Sequence, residues 1–254
     1  MLPKATEVSI VMPAYNAEAT IKASIESVIS QTYTNWELVI VDDCSKDATK
    51  YIASTAAQKD KRIYVLTNER NMGVASTRNT AMAQVQGKWI AFLDSDDLWH
   101  ESKLERQLQC MTEHGAAISY TATAYINEAG QRSSFILRAK NKLSYSGLLR
   151  RNLMSCSSVI VSKAAMVPFE QGDMHEDYVA WLRILRQTGY ALGLDMPLLT
   201  YRISANSKST RRVRSSKMLF RAYRQVGYGR IVSWLLTIQY ALHSIPKRVR
   251  IRFG

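Results

Sequence analysis

Hydrophobic and polar positions along the first hundred residues follow two alternating periods. "EVSIVMPAY" (7–15) is a short, β-branched apolar run and predicts a buried strand. Residues 20–32 then place Ile21, Ile25, Val28 and Ile29 at helical spacing. "WELVIVDD" (36–43) predicts a second strand, followed by a helix capped by Ser45, with Asp47 in its first turn, running to about Gln58. "RIYVLTN" (62–68) predicts a third strand, 73–85 a helix and "KWIAFLD" (88–94) a fourth strand. Strands this apolar, separated by helices, predict a parallel sheet covered on both faces. Ligands of such sheets bind outside the carboxyl ends of the strands.

Beyond Leu98 the regular alternation stops. The pattern predicts a helix over about 101–114, a strand over 116–127, a strand over 157–162 and a helix over 176–189. That last helix carries Glu176 and Asp177 in its first turn, and an apolar segment, 194–203, follows it. Residues 128–155 have no readable period. With no internal repeat and no flexible linker, the expectation is one α/β domain over 1–205, with halves 1–99 and 100–205, and a tail over 206–254.

Charge sharpens that division. Of the 34 Lys and Arg, 21 precede Arg202, as do all 21 acids, so the net charge of +13 belongs entirely to residues 202–254. Such a tail calls for an anionic partner. Three cysteines, Cys44, Cys110 and Cys156, lie far apart with no CxxC pair, which fits a reducing compartment and excludes a disulfide framework. The N-terminal apolar stretch is too short for a signal peptide, and no run reaches the roughly 20 residues that cross a bilayer. The expected location is therefore cytoplasmic.

The chemistry sits at the strand ends. Pro13 to Asn16 follow the first strand, Asp42-Asp43 end the second, Asn68 to Asn71 follow the third, and Asp94-Ser95-Asp96-Asp97 follow the fourth. Clustered carboxylates repel one another and resist desolvation. At such a rim they suit a hard divalent cation, Mg²⁺ or Mn²⁺, that keeps positions open for phosphate. A haloacid-type phosphatase would carry its Asp-x-Asp after the first strand, with Thr or Val following; here the motif follows the fourth, with Leu98 in that place. Taken alone, Asp42 is either a turn residue or an acceptor for a base or ribose. Arg78 is either a solvated helix residue or a contact to phosphate or base.

Three blocks together resemble the family 2 glycosyltransferases of the GT-A fold: "VSIVMPAYNAEATIKASIESVISQTYTNWELVIVDDCSKDAT", "NMGVASTRNTAMAQVQGKWIAFLDSDDLW" and "HEDYVAWLRIL". The resemblance spans about residues 7–205. It implies a sugar-nucleotide donor, most often UDP-linked, and an inverting transfer assisted by a divalent metal, Mn or Mg. By position it implies that Pro13, Ala14, Tyr15, Asn16, Asp42, Asn71, Arg78, Asp94 and Ser95 meet the nucleotide-sugar. Asp96, with Asp94, would hold the metal, and Asp97 would orient the loop. Asp177, beside Glu176, would be the base that takes the acceptor proton; without the resemblance, both acids could simply favour a helix N-terminus. His175 and Trp181 are weaker candidates for the acceptor pocket, Trp181 packing either in the core or on a sugar face. Cys44 stands where relatives usually have Gly, so it must adopt a turn that Gly takes more easily.

In the tail, Ile231, Trp234, Leu235, Ile238, Leu242 and Ile245 fall on one helical face flanked by basic residues. That pattern predicts a helix lying in an anionic membrane interface through 209–254, against the alternative of packing on the domain. The expected function is sugar transfer from a UDP-sugar to a lipid-linked or growing saccharide of a bacterial surface polysaccharide, at the inner face of the membrane. The alternatives are a non-catalytic sugar-nucleotide binder and a nucleic-acid-binding protein using the basic tail. The intact acids argue against the first and the apolar stripe against the second, so no nucleic acid is expected.

Overall fold

The computed structural model describes residues 6–203 and 212–250. Its first half follows the predicted alternation. Strands β1 (Val8–Ala14), β2 (Trp36–Asp42), β3 (Ile63–Thr67) and β4 (Trp89–Phe92) are joined by helices α1 (Ile21–Ile29), α2 (Thr49–Lys59) and α3 (Val74–Met82). These strands pair in parallel in the order β3-β2-β1-β4. All their carboxyl ends therefore open on one rim.

The second half adds β5 (Leu98–Trp99), α4 (Lys103–His114), β6 (Ile118–Asn127), β7 (Lys142–Ser144), α5 (Tyr145–Arg150), β8 (Ile160–Ser162), α6 (Glu176–Thr188) and β9 (Tyr190–Ile203). It extends the sheet as β4-β8-β6-β9-β5, with β7 also on β9. Here β6 and β9 pair in parallel, while β8 pairs antiparallel with both β4 and β6. Helices α7 (Arg212–Gln225) and α8 (Arg230–Arg250) follow.

Period-two alternation along the strands feeds two cores, one on each face. Val8, Ile10 and Met12 pack with Ile21 and Ile25 of α1 and with Leu104, Leu108 and Met111 of α4. Val11, Ile90 and Phe92 pack on the other face with α6 residues Val179, Trp181 and Leu182 and α7 residues Leu219, Ala222 and Tyr223. The basic tail thus docks on the domain through α7.

One local expectation is corrected. Ser45 does not cap α2, which begins four residues later at Thr49. Its Oγ instead accepts the Asn16 N–H at 3.0 Å. Asp47 stands outside the helix, and its carboxylate accepts the N–H groups of Glu18 and Thr49. Tying two rim loops together uses these polar groups better than capping one helix.

Lys103 has no counterpart in the sequence reading. It opens α4, is fully buried, and lays its ammonium 4.1 Å from the Trp99 ring centroid. Its Nζ finds no hydrogen-bond acceptor among the described residues, and burial holds its pKa well below the ordinary lysine value. The unfolded chain therefore binds the extra proton up to about pH 10, and folding gains stability as pH rises toward that point. Lys103→Met is expected to raise stability by about 1–3 kcal/mol at neutral pH. Thermal melts should show that advantage shrinking toward about pH 10; a Met variant that is weaker at every pH would contradict this.

Candidate active site

Each strand tip places its polar residues by local backbone geometry. Pro13 and Ala14 close β1 and are buried, which leaves Tyr15, 48% exposed, as the side chain facing outward there. Asn16 follows with φ 47° and Cys44 with φ 64°, both left-handed. The Asn16 Oδ1 accepts the Lys46 N–H at 2.8 Å, so the turns after β1 and β2 are bound to each other. Cys44 adopts the turn expected of a residue standing in place of Gly.

Asp42 and Asp43 divide their work. The Asp43 carboxylate receives Asn68 Nδ2, Met72 N and Gly73 N, all within 2.7–2.8 Å, and so anchors the loop bearing exposed Asn71. Gly73, at φ 80°, lets the chain turn there into α3. Asp42 is buried; its Oδ2 accepts the Ser45 N–H, while its Oδ1 has no donor among the described residues. A buried carboxylate oxygen without a donor at a ligand rim is a ready acceptor for an N–H or O–H from outside the chain.

The acidic stretch after β4 is held from three sides. Ser157 Oγ donates to Asp97 Oδ2 at 2.6 Å and accepts the Asp94 N–H at 3.0 Å. Arg202 gives its N–H to Asp97 Oδ1 and its Nε–H to the Asp96 carbonyl. Ser24 of α1 donates to the Ser95 carbonyl at 2.9 Å. Asp97 is thus consumed in fixing the loop, while the Asp94 and Asp96 side chains remain partly exposed. Burial, then the Asp94 charge, pushes Asp96 up to about 6. Burial, then the charges of Asp96 and Asp94, raises Asp97 as well.

Those shifts test the site for a divalent cation. Two partly exposed carboxylates, with the charge of Asp94 helping to raise Asp96, fit a hard cation, which would relieve that repulsion. Among the described residues no three metal-ligating side chains converge. The acids therefore suit an ion that completes its shell with oxygens from another molecule rather than a closed protein cage.

Arg78 joins the two halves. Its Nη2 lies 2.6 Å from Asp94 Oδ1 and its Nη1 2.9 Å from Glu176 Oε1, with the residue 3% exposed. The guanidinium pairs with these two carboxylates and bridges the end of β4 to the start of α6, while its buried Nε finds no acceptor among the described residues. Asp177 follows Glu176 in the first turn of α6. Its Oδ1 accepts the Tyr178 N–H at 2.8 Å. Burial first and then the Glu176 charge raise its carboxyl, with Arg78 and His175 opposing.

Two acceptor candidates separate. His175 is half-buried, with Nε2 3.3 Å from Ser215 Oγ of α7. Trp181 is fully buried, its ring 5.5 Å from Phe92 and 6.0 Å from Phe169, so it belongs to the core. Ser157 and Arg202 escaped the sequence reading because neither lies near the loop it clamps in the chain, and no local pattern marks them.

The chain belongs to glycosyl transferase family 2, whose family model matches residues 9–170. TuaG of Bacillus subtilis, a proposed teichuronic acid biosynthesis glycosyltransferase, is 32% identical over 246 residues, covering 95% of this chain and 97% of its own. WfgD of Escherichia coli, a UDP-Glc:alpha-D-GlcNAc-diphosphoundecaprenol beta-1,3-glucosyltransferase, is 40% identical over 212 residues, covering 83% of this chain and 82% of its own. Among solved structures, S. aureus TarS 1–349 in complex with UDP-GlcNAc superposes with a TM-score of 0.74 at 18% identity, covering 94% of this chain and 73% of that one. At that identity the likeness establishes the GT-A fold alone.

Proposed function

We propose that this glycosyltransferase moves a sugar, with inversion, from a UDP-sugar to a lipid-linked or growing saccharide during surface polysaccharide assembly. The observation that carries the reading is the Asp94–Arg78–Glu176 bridge, which ties the acidic rim to the first turn of α6, the turn that carries Asp177. The kinship with WfgD supports the donor and acceptor classes.

Asp42 Oδ1 accepts a hydrogen bond from the uracil or ribose, with the 13–16 turn, Asn71 and Ser95 around the rest of the donor. Asp96 and Asp94 hold a divalent ion, Mn²⁺ or Mg²⁺, which when bound neutralises charge on the departing diphosphate. Asp177 Oδ2 takes the acceptor hydroxyl proton as that oxygen attacks the anomeric carbon, and UDP leaves with the electrons of the broken bond. Arg78 fixes Glu176 beside Asp177; burial and the Glu176 charge raise the affinity of Asp177 for a proton, and the guanidinium charge opposes them. Residues 1–205 form the catalytic domain and 206–254 a tail that meets an anionic membrane surface. The enzyme then works peripherally at the inner face of the cell membrane. No helix among the described residues is long and apolar enough to cross a membrane.

A panel of UDP-sugars with Mn²⁺ and extracted undecaprenol-linked acceptors, followed by mass analysis, tests this. A mass gain of one sugar on the acceptor is expected with one donor. Tight UDP binding without transfer from any donor would instead favour the non-catalytic binder.

A further inference from the structure

The two tail helices present opposite characters on their two sides. Toward the domain, Ser233 and Thr237 of α8 are buried and Tyr240 stacks edgewise on Tyr178, the residue after Asp177, at 6.1 Å. Tyr178 also faces Tyr223 of α7, hydroxyl to hydroxyl at 3.3 Å, and Tyr223 donates to the Leu149 carbonyl. Arg183 and Arg186 of α6 donate to the carbonyls of Gln225 and Val226 at the end of α7. The helix that carries the base is therefore bolted to the tail along much of its length.

Away from the domain the face is apolar and bare. Ile231, Trp234, Leu235, Ile238 and Leu242 are 77%, 60%, 62%, 52% and 63% exposed. They recur three and four residues apart, on one side of α8. Phe220 of α7 joins them, its ring 5.5 Å from Trp234. Lys217, Arg221, Arg224 and Arg230 are exposed on the same two helices, with Arg221 paired to Asp173 and Arg224 donating to the Tyr228 carbonyl, and no acid occurs anywhere in 202–254. A monomer in water gains nothing from a stripe of this kind.

We infer that this face of α8 is a docking surface for an anionic phospholipid bilayer, and that through Tyr240, Tyr178 and Tyr223 it fixes how the base-bearing end of α6 meets a membrane-bound acceptor. The charge selects the occupant: a second copy would set two equally basic stripes against each other, whereas an anionic leaflet complements both the apolar arc and its rim. The inference rests on the lipid-linked acceptor reading and adds the surface that reads the membrane itself.

Trp234→Glu with Leu235→Glu changes exposed positions only. In flotation with vesicles of phosphatidylcholine and phosphatidylglycerol, the full-length chain is expected to float. The double variant is expected to lose about tenfold or more in partitioning, and the wild type to bind less on pure phosphatidylcholine or in high salt. With a short-chain, water-soluble acceptor analogue both proteins should transfer sugar equally, while transfer to an undecaprenol acceptor in vesicles should fall only in the variant. Equal flotation of wild type and variant would overturn the inference, as would a wild type that stays off the vesicles. So would a wild-type dimer in solution that the double substitution dissociates, which would assign the face to a second copy. Loss of transfer to the soluble analogue by the wild type itself would strike the acceptor reading instead and leave the flotation result standing.

Discussion

Asp177→Asn is expected to lower kcat by about a hundred- to ten-thousand-fold while leaving the donor's affinity unchanged. The amide keeps the size of the side chain, and its carbonyl still accepts the Tyr178 N–H that holds Asp177 in place. It removes only the ability to accept the acceptor's proton. Burial and the Glu176 charge raise the carboxyl in the native protein, so the wild-type rate should climb with pH as the group ionises. That limb should be missing from the variant's residual activity. Steady-state kinetics across pH, with donor binding followed by calorimetry, separate this from a role at the helix N-terminus. A helix-dipole role would cost stability and leave kcat near wild type.

Asp96→Ala is expected to cost about a hundred- to a thousand-fold or more in transfer, the scale on which preorganised charge stabilisation acts. Loss of activity here must be distinguished from loss of fold, and the pKa direction does so. Asp96 is raised to about 6, so what its protonated form contributes to stability at low pH is lost as pH rises through that value. At pH 7.5 the ionised group, crowded by Asp94, gives the fold nothing to lose. The alanine variant should therefore melt no lower than wild type while being inactive. A variant that melts early would mean that Asp96 supports the loop; a fully active one would remove it from the chemistry.

Much of the architecture was legible because it is written in short-range patterns. The strand runs at 7–15, 36–43, 62–68 and 88–94 set the parallel half, and the acids at their ends followed from topology alone. The family, too, is written in contiguous blocks, 8–49, 71–99 and 175–185. What stayed hidden is long-range polar pairing. Arg78 and Glu176 are 98 residues apart in sequence, and Ser157 reaches Asp97 across 60, so no window holds both partners. Ser45 illustrates the reverse: a local capping rule predicted one partner and a residue 29 positions away supplied another. Trp181, open between core and sugar in the sequence, is settled by the aromatic cluster of Phe92 and Phe169, which only the folded sheet assembles. The tail showed its apolar stripe in the sequence. That its other side packs on α6 follows from tertiary contacts that no window of the sequence holds.

The most direct test of the whole account is a crystal structure of the wild-type chain with Mn²⁺ and UDP. An anomalous peak against the carboxylates of Asp94 and Asp96, with the uridine reaching Asp42, is the predicted result. Manganese and nucleotide bound away from the ends of β2 and β4 would contradict it.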